Sequence, residues 1–223
     1  MDENKKYSRQ LDFVKPSELD IPIWIIGAGG IGSWTTLALS KMGCNNLVVF
    51  DHDKVELHNT PSQLYTSDQI GQMKTAALKE TILKLTGQNI ISVSTKFEDW
   101  DIQQTVNPKI IINAVDSLEA RRSIWAMLKN VKPMPFDVFI DARMAGEFLR
   151  ILCVSPLNDY SLNQYEKGLN SIVKPHEEIC TARSIVYNVF SCAGIIANYV
   201  KRYVKGEPIE PQTQLDLSVM QFI

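Results

Sequence analysis

The chain has 223 residues, 45% of them hydrophobic, and a formal net charge of −2 at pH 7. That length and hydrophobic fraction suffice for one globular domain with a full core. The near-neutral charge excludes a surface that attracts nucleic acid by bulk electrostatics. The opening Met1-Asp2-Glu3-Asn4-Lys5-Lys6 is polar, so no export signal is expected. The longest apolar stretch, residues 185–204, carries Asn188, Asn198, Lys201 and Arg202, and reads as a buried helix with a wet face, not a membrane span. The four cysteines, Cys44, Cys153, Cys180 and Cys192, form no CxxC pair. A structural zinc site is therefore not expected, and the thiols are expected to be reduced in the cytoplasm.

In chain order, residues 1–20 read as a polar N-terminal arm or short helix around Tyr7-Ser8-Arg9-Gln10-Leu11. An apolar run at 21–26 predicts a buried strand, and 33–42 a helix. Leu47-Val48-Val49-Phe50 predicts a second buried strand. Helical spacing of Ile70, Met73, Ala77, Ile82 and Leu85 predicts a helix within 67–85. Residues 90–95 alternate as a third strand, and the apolar run 110–115 is a fourth. A helix is predicted at 118–129, with further strands at 138–140 and 148–152. Strands alternating with helices give an α/β, Rossmann-like, doubly wound and mainly parallel sheet, covered by helices on both faces, with a few antiparallel strands toward the C-terminus. The whole chain, 1–223, reads as one domain. Its nucleotide-binding core is 21–157, followed by a polar crossover loop at 158–183, a C-terminal helix at 184–205 and an extended tail at 206–223 with two prolines.

Between the first strand and the first long helix lies Gly27-Ala28-Gly29-Gly30-Ile31-Gly32. Glycines there permit a sharp turn and close backbone approach to a phosphate, which the helix N-terminus then holds with free N–H groups. Asp51 ends the second strand about 20 residues on, where a dinucleotide fold places an acid on the ribose hydroxyls. Taken alone, these features favour NAD and a dinucleotide-dependent oxidoreductase.

The residues that follow shift that choice. Asp51-His52-Asp53-Lys54-Val55-Glu56-Leu57-His58-Asn59 leads to Gln63, then Gly71-Gln72-Met73-Lys74, then Asn113-Ala114-Val115-Asp116-Ser117-Leu118-Glu119-Ala120-Arg121. With Tyr7-Ser8-Arg9-Gln10 in front, this order resembles the ThiF, MoeB and ubiquitin-activating-enzyme superfamily. The resemblance runs motif by motif from Tyr7 to about Arg122, and more loosely through Cys180-Thr181 and the last helix. It implies binding of ATP and Mg²⁺ and adenylation of a carboxylate, such as the C-terminal glycine of a ubiquitin-like or sulfur-carrier protein. By resemblance, Gly27, Gly29, Gly30 and Gly32 form the nucleotide turn, and Asp51 takes the ribose. Asn59 and Gln63 lie beside the phosphates, Lys74 reaches the triphosphate, and Asp116 holds Mg²⁺. Arg9 matches an arginine that reaches into the partner protomer's site, which implies a homodimer. The physics agrees: two anions must meet at the α-phosphorus, so positive charge has to be in place beforehand.

One position departs from the pattern. Where the family usually carries an arginine just before the glutamine, this chain has Ser62 in Asn59-Thr60-Pro61-Ser62-Gln63. A charge aimed at the transition state is worth a few kcal/mol, on the order of 10²–10³ in rate. Its absence leaves three readings: slow adenylation, an arginine drawn from elsewhere (Arg121, Arg122 or Arg143), or a non-catalytic binding or dimerisation module. Cys180-Thr181 resembles the position of the thioester-forming cysteine, whose thiolate would take the acyl group from the adenylate. Cys44, Cys153 and Cys192 lie in apolar surroundings and read as core. Arg143, in Asp141-Ala142-Arg143-Met144, pairs either with a substrate anion or within an ordinary turn. His52, His58 and His176 show no metal-ligand spacing. Asp116 alone also fits an N-cap for the helix that follows it.

Overall fold

The structure is a computed structural model that describes residues 3–101, 107–170 and 185–223. Among the described residues, eight strands form one sheet in the order β3-β2-β1-β4-β5-β6-β7-β8. They are β1 (Ile23–Ile26), β2 (Leu47–Phe50), β3 (Ile91–Val93), β4 (Ile110–Asn113), β5 (Val138–Ala145), β6 (Phe148–Val154), β7 (Gln212–Asp216) and β8 (Gln221–Phe222). The first five strands run parallel to one another, while β6 pairs antiparallel with β5, β7 with β6 and β8 with β7. The helices are α1 (Glu3–Lys6), α2 (Gly30–Met42), α3 (Lys74–Thr86), α4 (Leu118–Asn130), α5 (Asp159–Asn170) and α6 (Val186–Val204).

Pleating splits the sheet's side chains between two cores. Ile23, Ile25, Val49, Ile110, Ile112 and Ile140 pack with Ile31 and Leu39 of α2, Leu78 of α3 and Val189 and Ile196 of α6. Trp24, Ile26, Phe50, Ile111 and Phe139 face the other way, onto Ile124, Trp125 and Leu128 of α4 and Tyr165 and Leu169 of α5. Strands covered on both faces must be apolar throughout, which is why β1, β2 and β4 read as continuous hydrophobic runs. Among the described residues no helix is long and apolar enough to cross a membrane.

Two stretches differ from the sequence expectation. Residues 159–170, read as the start of the crossover loop, form α5. Their polar composition conceals Leu162, Tyr165 and Leu169, which fall on one helical face and dock on the aromatic core. The tail is not simply extended: residues 212–216 and 221–222 add β7 and β8 to the sheet. With one buried residue, Leu215, β7 lacks the apolar signal of a central strand.

The chain leaves β1 outward to β2 and β3, then returns to place β4 on the other side of β1. This reversal of strand order opens a crevice at the C-terminal ends of β1 and β4.

Candidate active site

The glycine turn sits at that crevice and is fixed by contact. Gly27 has φ +94°, and a Cβ on it would lie 2.9 Å from the Ala114 carbonyl group. A Cβ on Gly32 would lie 1.8 Å from the Gly27 oxygen, so α2 can start against the turn only with glycine there. Gly29, the N-cap of α2, is different: nothing lies within 4 Å of its Cβ position. The turn is closed underneath and open toward the crevice, which suits the approach of a phosphate.

Four side chains hold the turn. Asp51 accepts from the Ala28 N–H at 2.6 Å and the Asp53 N–H at 2.8 Å, one bond on each oxygen. A carboxylate has about four lone-pair sites, so it retains capacity for a ribose hydroxyl. Tyr65, buried, donates its hydroxyl to the Ala28 carbonyl at 2.6 Å, and burial with the nearby Asp51 and Asp53 charges raises its pKa. Trp34 Nε1 donates to the Ser62 carbonyl at 3.1 Å, and Ser33 Oγ accepts from the Leu64 N–H at 3.1 Å. These two bonds bring the 59–65 loop against the start of α2, with the Ser62 oxygen 3.7 Å from the Gly30 Cβ position. Ser62 thus stands beside the start of α2. Tyr65 and Trp34 carry no sequence motif of their own; only the fold reveals them.

Lys74 opens α3 and is buried, its Nζ 2.9 Å from Asp53 Oδ2. A short ladder sets this pair: the Lys74 N–H donates to the Asp53 carbonyl and the Val55 N–H to the Gln72 carbonyl, each at 2.9 Å. Partial burial raises the Asp53 pKa, but the hydrogen bond and charge of Lys74, with His52 adding, outweigh it and leave the carboxyl below its usual value. Asn59 is buried, and its Oδ1 accepts the Glu56 N–H at 2.8 Å to close the 3-10 turn Leu57–Asn59. Any ligand contact therefore falls to its amide nitrogen. Gln63 Oε1 is buried without a hydrogen-bond partner among the described residues. An orphaned buried acceptor beside an open turn fits a site that a polar ligand completes.

Asp116 is exposed, just past β4 on the crevice's other side. It does not cap α4: Ser117 is the N-cap, its Oγ accepting the Ala120 N–H at 3.1 Å. Asp51, His52 and Asp53 also bring ligand atoms within 4.8 Å of one another, a closeness not anticipated from the histidine spacing. Asp53 is engaged there by Lys74, so a cation at that spot would compete with the ammonium.

Behind Asp116 lies a buried polar network that motif reading does not assemble. Asp141, fully buried, is ion-paired to Arg121 and to Arg143, whose Nη2 and Nε donate at 2.7 and 2.9 Å. Tyr165 adds its hydroxyl at 3.1 Å and Asn113 its amide at 3.3 Å. Arg121 also donates from Nη2 to the carbonyls of Val115 and Ala142, the latter at 3.0 Å. It thereby holds the residue before Asp116 to β5. Arg143 lies inside β5, which is parallel to β4 and antiparallel to β6, so it both borders the crevice and joins a hairpin.

Arg9 is not brought to the crevice of its own chain. It is exposed, beside Tyr7, which packs on Gly43, and Gln10, which donates to the Met42 carbonyl at 2.7 Å. These contacts lie at the far end of α2, whose 13 residues span about 20 Å. Cys180 and Thr181 lie outside the described residues. Cys44, Cys153 and Cys192 are buried, and burial pushes each thiol up to about 12. Alkylation of the folded protein near pH 8, read by mass spectrometry, is expected to leave these three unmodified. Labelling of any of them as fast as in the urea-unfolded chain would contradict their burial.

A Rossmann-like sheet with an open glycine turn, an acid after β2 and a second acid after β4 defines a doubly wound α/β protein. The ThiF family model matches residues 7–216, and the chain belongs to the ThiF family. It is 30% identical over 145 residues to the ubiquitin-like modifier-activating enzyme 5 of Drosophila mojavensis, covering 56% of this chain and 36% of that protein. For the Drosophila erecta enzyme of the same name, identity is 26% over 201 residues, covering 81% of this chain and 45% of the relative. The chain thus matches less than half the length of these relatives. E. coli MccB solved with ATP shares the fold at TM-score 0.75 and 19% identity, covering 100% of this chain and 72% of MccB. PaaA does so at TM-score 0.75 and 21% identity, covering 99% and 82%.

Proposed function

We propose that this chain is an adenylyltransferase that uses ATP and Mg²⁺ to activate the C-terminal carboxylate of a ubiquitin-like or sulfur-carrier protein. The observation that carries this reading is the convergence of the open glycine turn, Asp51, Lys74 and Asp116 around one crevice, on two sides of the strand-order reversal. The relatives named as ubiquitin-like modifier-activating enzymes support the substrate class, and the MccB structures with ATP, or with AMPCPP and MccA, support the nucleotide.

The site's residues divide the work. The α2 N-terminus and Lys74 hold the triphosphate, Asp51 the ribose, and Gln63 and the Asn59 amide flank the phosphates. Lys74 rests on Asp53, so its charge is stored beside the turn before substrate arrives. Asp116 would hold Mg²⁺, a cation that prefers carboxylate and phosphate oxygens and supplies charge neutralisation at the phosphates. The acceptor's carboxylate oxygen attacks the α-phosphorus, the bond to the bridging oxygen breaks, and pyrophosphate leaves. If Cys180 acts next, its thiolate attacks the acyl-adenylate carbonyl and AMP departs, leaving a thioester. Arg9, remote from its own crevice, serves the site of a second protomer in a homodimer. A cytoplasmic location, where Cys180 stays reduced, belongs to the same proposal.

The test is ATP–pyrophosphate exchange with Mg²⁺ and carrier proteins ending in glycine. Exchange should depend on one carrier and fall by about 10²-fold or more in Asp116→Ala and in Lys74→Ala. Mixed Arg9→Ala and Asp116→Ala subunits should regain part of the activity through hybrid dimers with one intact site. Full exchange in either site variant, or binding of NAD(H) in preference to ATP, refutes the assignment.

A further inference from the structure

The β5–β6 hairpin carries two arginines, Arg143 and Arg150, and two carboxylates, Asp141 and Glu147, but Glu147 is engaged by the Tyr187 hydroxyl and neither acid is ion-paired with Arg150 among the described residues. Arg143 and Arg150 are directly opposite each other in the antiparallel register, hence on one face. Like charges in that arrangement repel unless an anion intervenes. Asp141 lies on the same face, but it is fully buried and already shared between Arg121 and Arg143. Arg150 donates instead to the Gln212 side-chain oxygen at 2.6 and 3.2 Å, and no carboxylate lies within ion-pair distance of it among the described residues. Burial and the neighbouring Arg143 both lower the Arg150 pKa, as expected for a cation lacking a counter-charge.

This pair sits beside the catalytic crevice. Asn113 of β4 is level with Asp141 of β5, the last paired position of β4, so Val115 and Asp116 leave the ladder beside the stretch of β5 that carries Arg143. The two carbonyls that share Arg121 Nη2, those of Val115 and Ala142, fix that closeness. Arg143 therefore stands next to Asp116 across one strand spacing, with 17% of its side-chain surface still open. The sheet order decides which anion it meets. The glycine turn and Asp51 follow β1 and β2, on one side of β4; the arginines lie on β5 and β6, on the other. The nucleotide occupies the first side.

We propose that Arg143 and Arg150 form the seat for the acceptor's terminal carboxylate, with Asp141 holding Arg143 in place. The pair delivers the nucleophile on the β5 side of Asp116. This inference rests on the adenylation reading and adds to it the residues that select a free carboxylate.

The test uses a short peptide ending in Gly-Gly, as the free acid and as the carboxamide, with Mg·ATP titrated separately. The wild type should bind the acid in preference to the amide. Arg143→Gln should weaken acid binding by about 10- to 100-fold and abolish that preference, while ATP binding stays within about twofold. Arg150→Gln, a partly exposed position, should act in the same direction with a smaller effect, and Arg143→Lys should restore part of the preference. Unchanged acid binding in both glutamine variants overturns the proposal, as does a wild type that treats acid and amide alike. So does a parallel loss of ATP affinity, which would give the arginines to the triphosphate. Pyrophosphate exchange by the wild type keeps the adenylation reading intact under each of those results, and its absence with every carrier sinks that reading instead.

Discussion

Replacing Asp141 with alanine is expected to lower the free energy of unfolding by about 3–5 kcal/mol, the cost of leaving a buried partner charge uncompensated. Asp141 is fully buried and Arg121 is 4% exposed. Without the carboxylate, the Arg121 guanidinium stays in the interior with two carbonyl partners and no counter-charge. Arg143, Tyr165 and Asn113 lose their shared acceptor at the same time. Asp141→Asn should cost less, because one acceptor oxygen remains while the charge is gone. A double variant, Asp141→Leu with Arg121→Met, should be markedly more stable than Asp141→Ala, since a buried pair replaced as a pair leaves nothing unsatisfied. Urea denaturation of the four proteins gives the comparison. A loss below about 1 kcal/mol in Asp141→Ala would place the pair among exposed ion pairs, contrary to its burial. Below the midpoint of unfolding, exchange activity should also drop in Asp141→Ala, because Arg121 holds the carbonyl of the residue preceding Asp116.

This network shows where sequence reading stops. β1, β2 and β4 are legible because burial on both faces demands unbroken apolar runs. The glycine turn and Asp51 are legible because the nucleotide chemistry requires them at a short, fixed separation. Lys74 and Asp116 become visible only as members of an ordered set; as single residues, each looks like an ordinary helix-end charge. Asp141, Asn113 and Tyr165 are beyond reach of motif reading, since 28 residues separate the first pair and 24 the second, and only the parallel β4–β5 register and the docking of α5 bring them together. Arg121 and Arg143 were recognisable as candidate cations, but not that one carboxylate binds both. The β7 strand hides for a different reason: pairing on β6 supplies its backbone bonds while its side chains stay mostly polar and half exposed.

The glycine turn separates folding from binding within four residues, and two single-methyl substitutions expose the distinction. Gly32→Ala should cost more than about 3 kcal/mol or prevent folding, because its Cβ would lie 1.8 Å from the Gly27 oxygen. That atom is backbone, and Gly27 cannot retreat, since it is pressed against Ala114 at the end of β4. Gly29→Ala should leave stability within about 1 kcal/mol of wild type: φ is −74°, which alanine accepts, and its Cβ meets nothing within 4 Å. On the proposed reading, however, the same methyl would occupy the opening through which phosphate oxygens reach the first N–H groups of α2. ATP affinity should therefore fall by at least about tenfold in Gly29→Ala. Thermal denaturation with and without Mg·ATP reads both quantities in one experiment, because a ligand that binds only the folded state raises the midpoint in proportion to its occupancy. Gly29→Ala should unfold near the wild-type temperature and show a diminished ATP-dependent shift. A full shift would mean that the phosphates lie off the turn. The triphosphate would then have to rest on Lys74, or on the β5 and β6 arginines on the far side of Asp116 from the helix dipole.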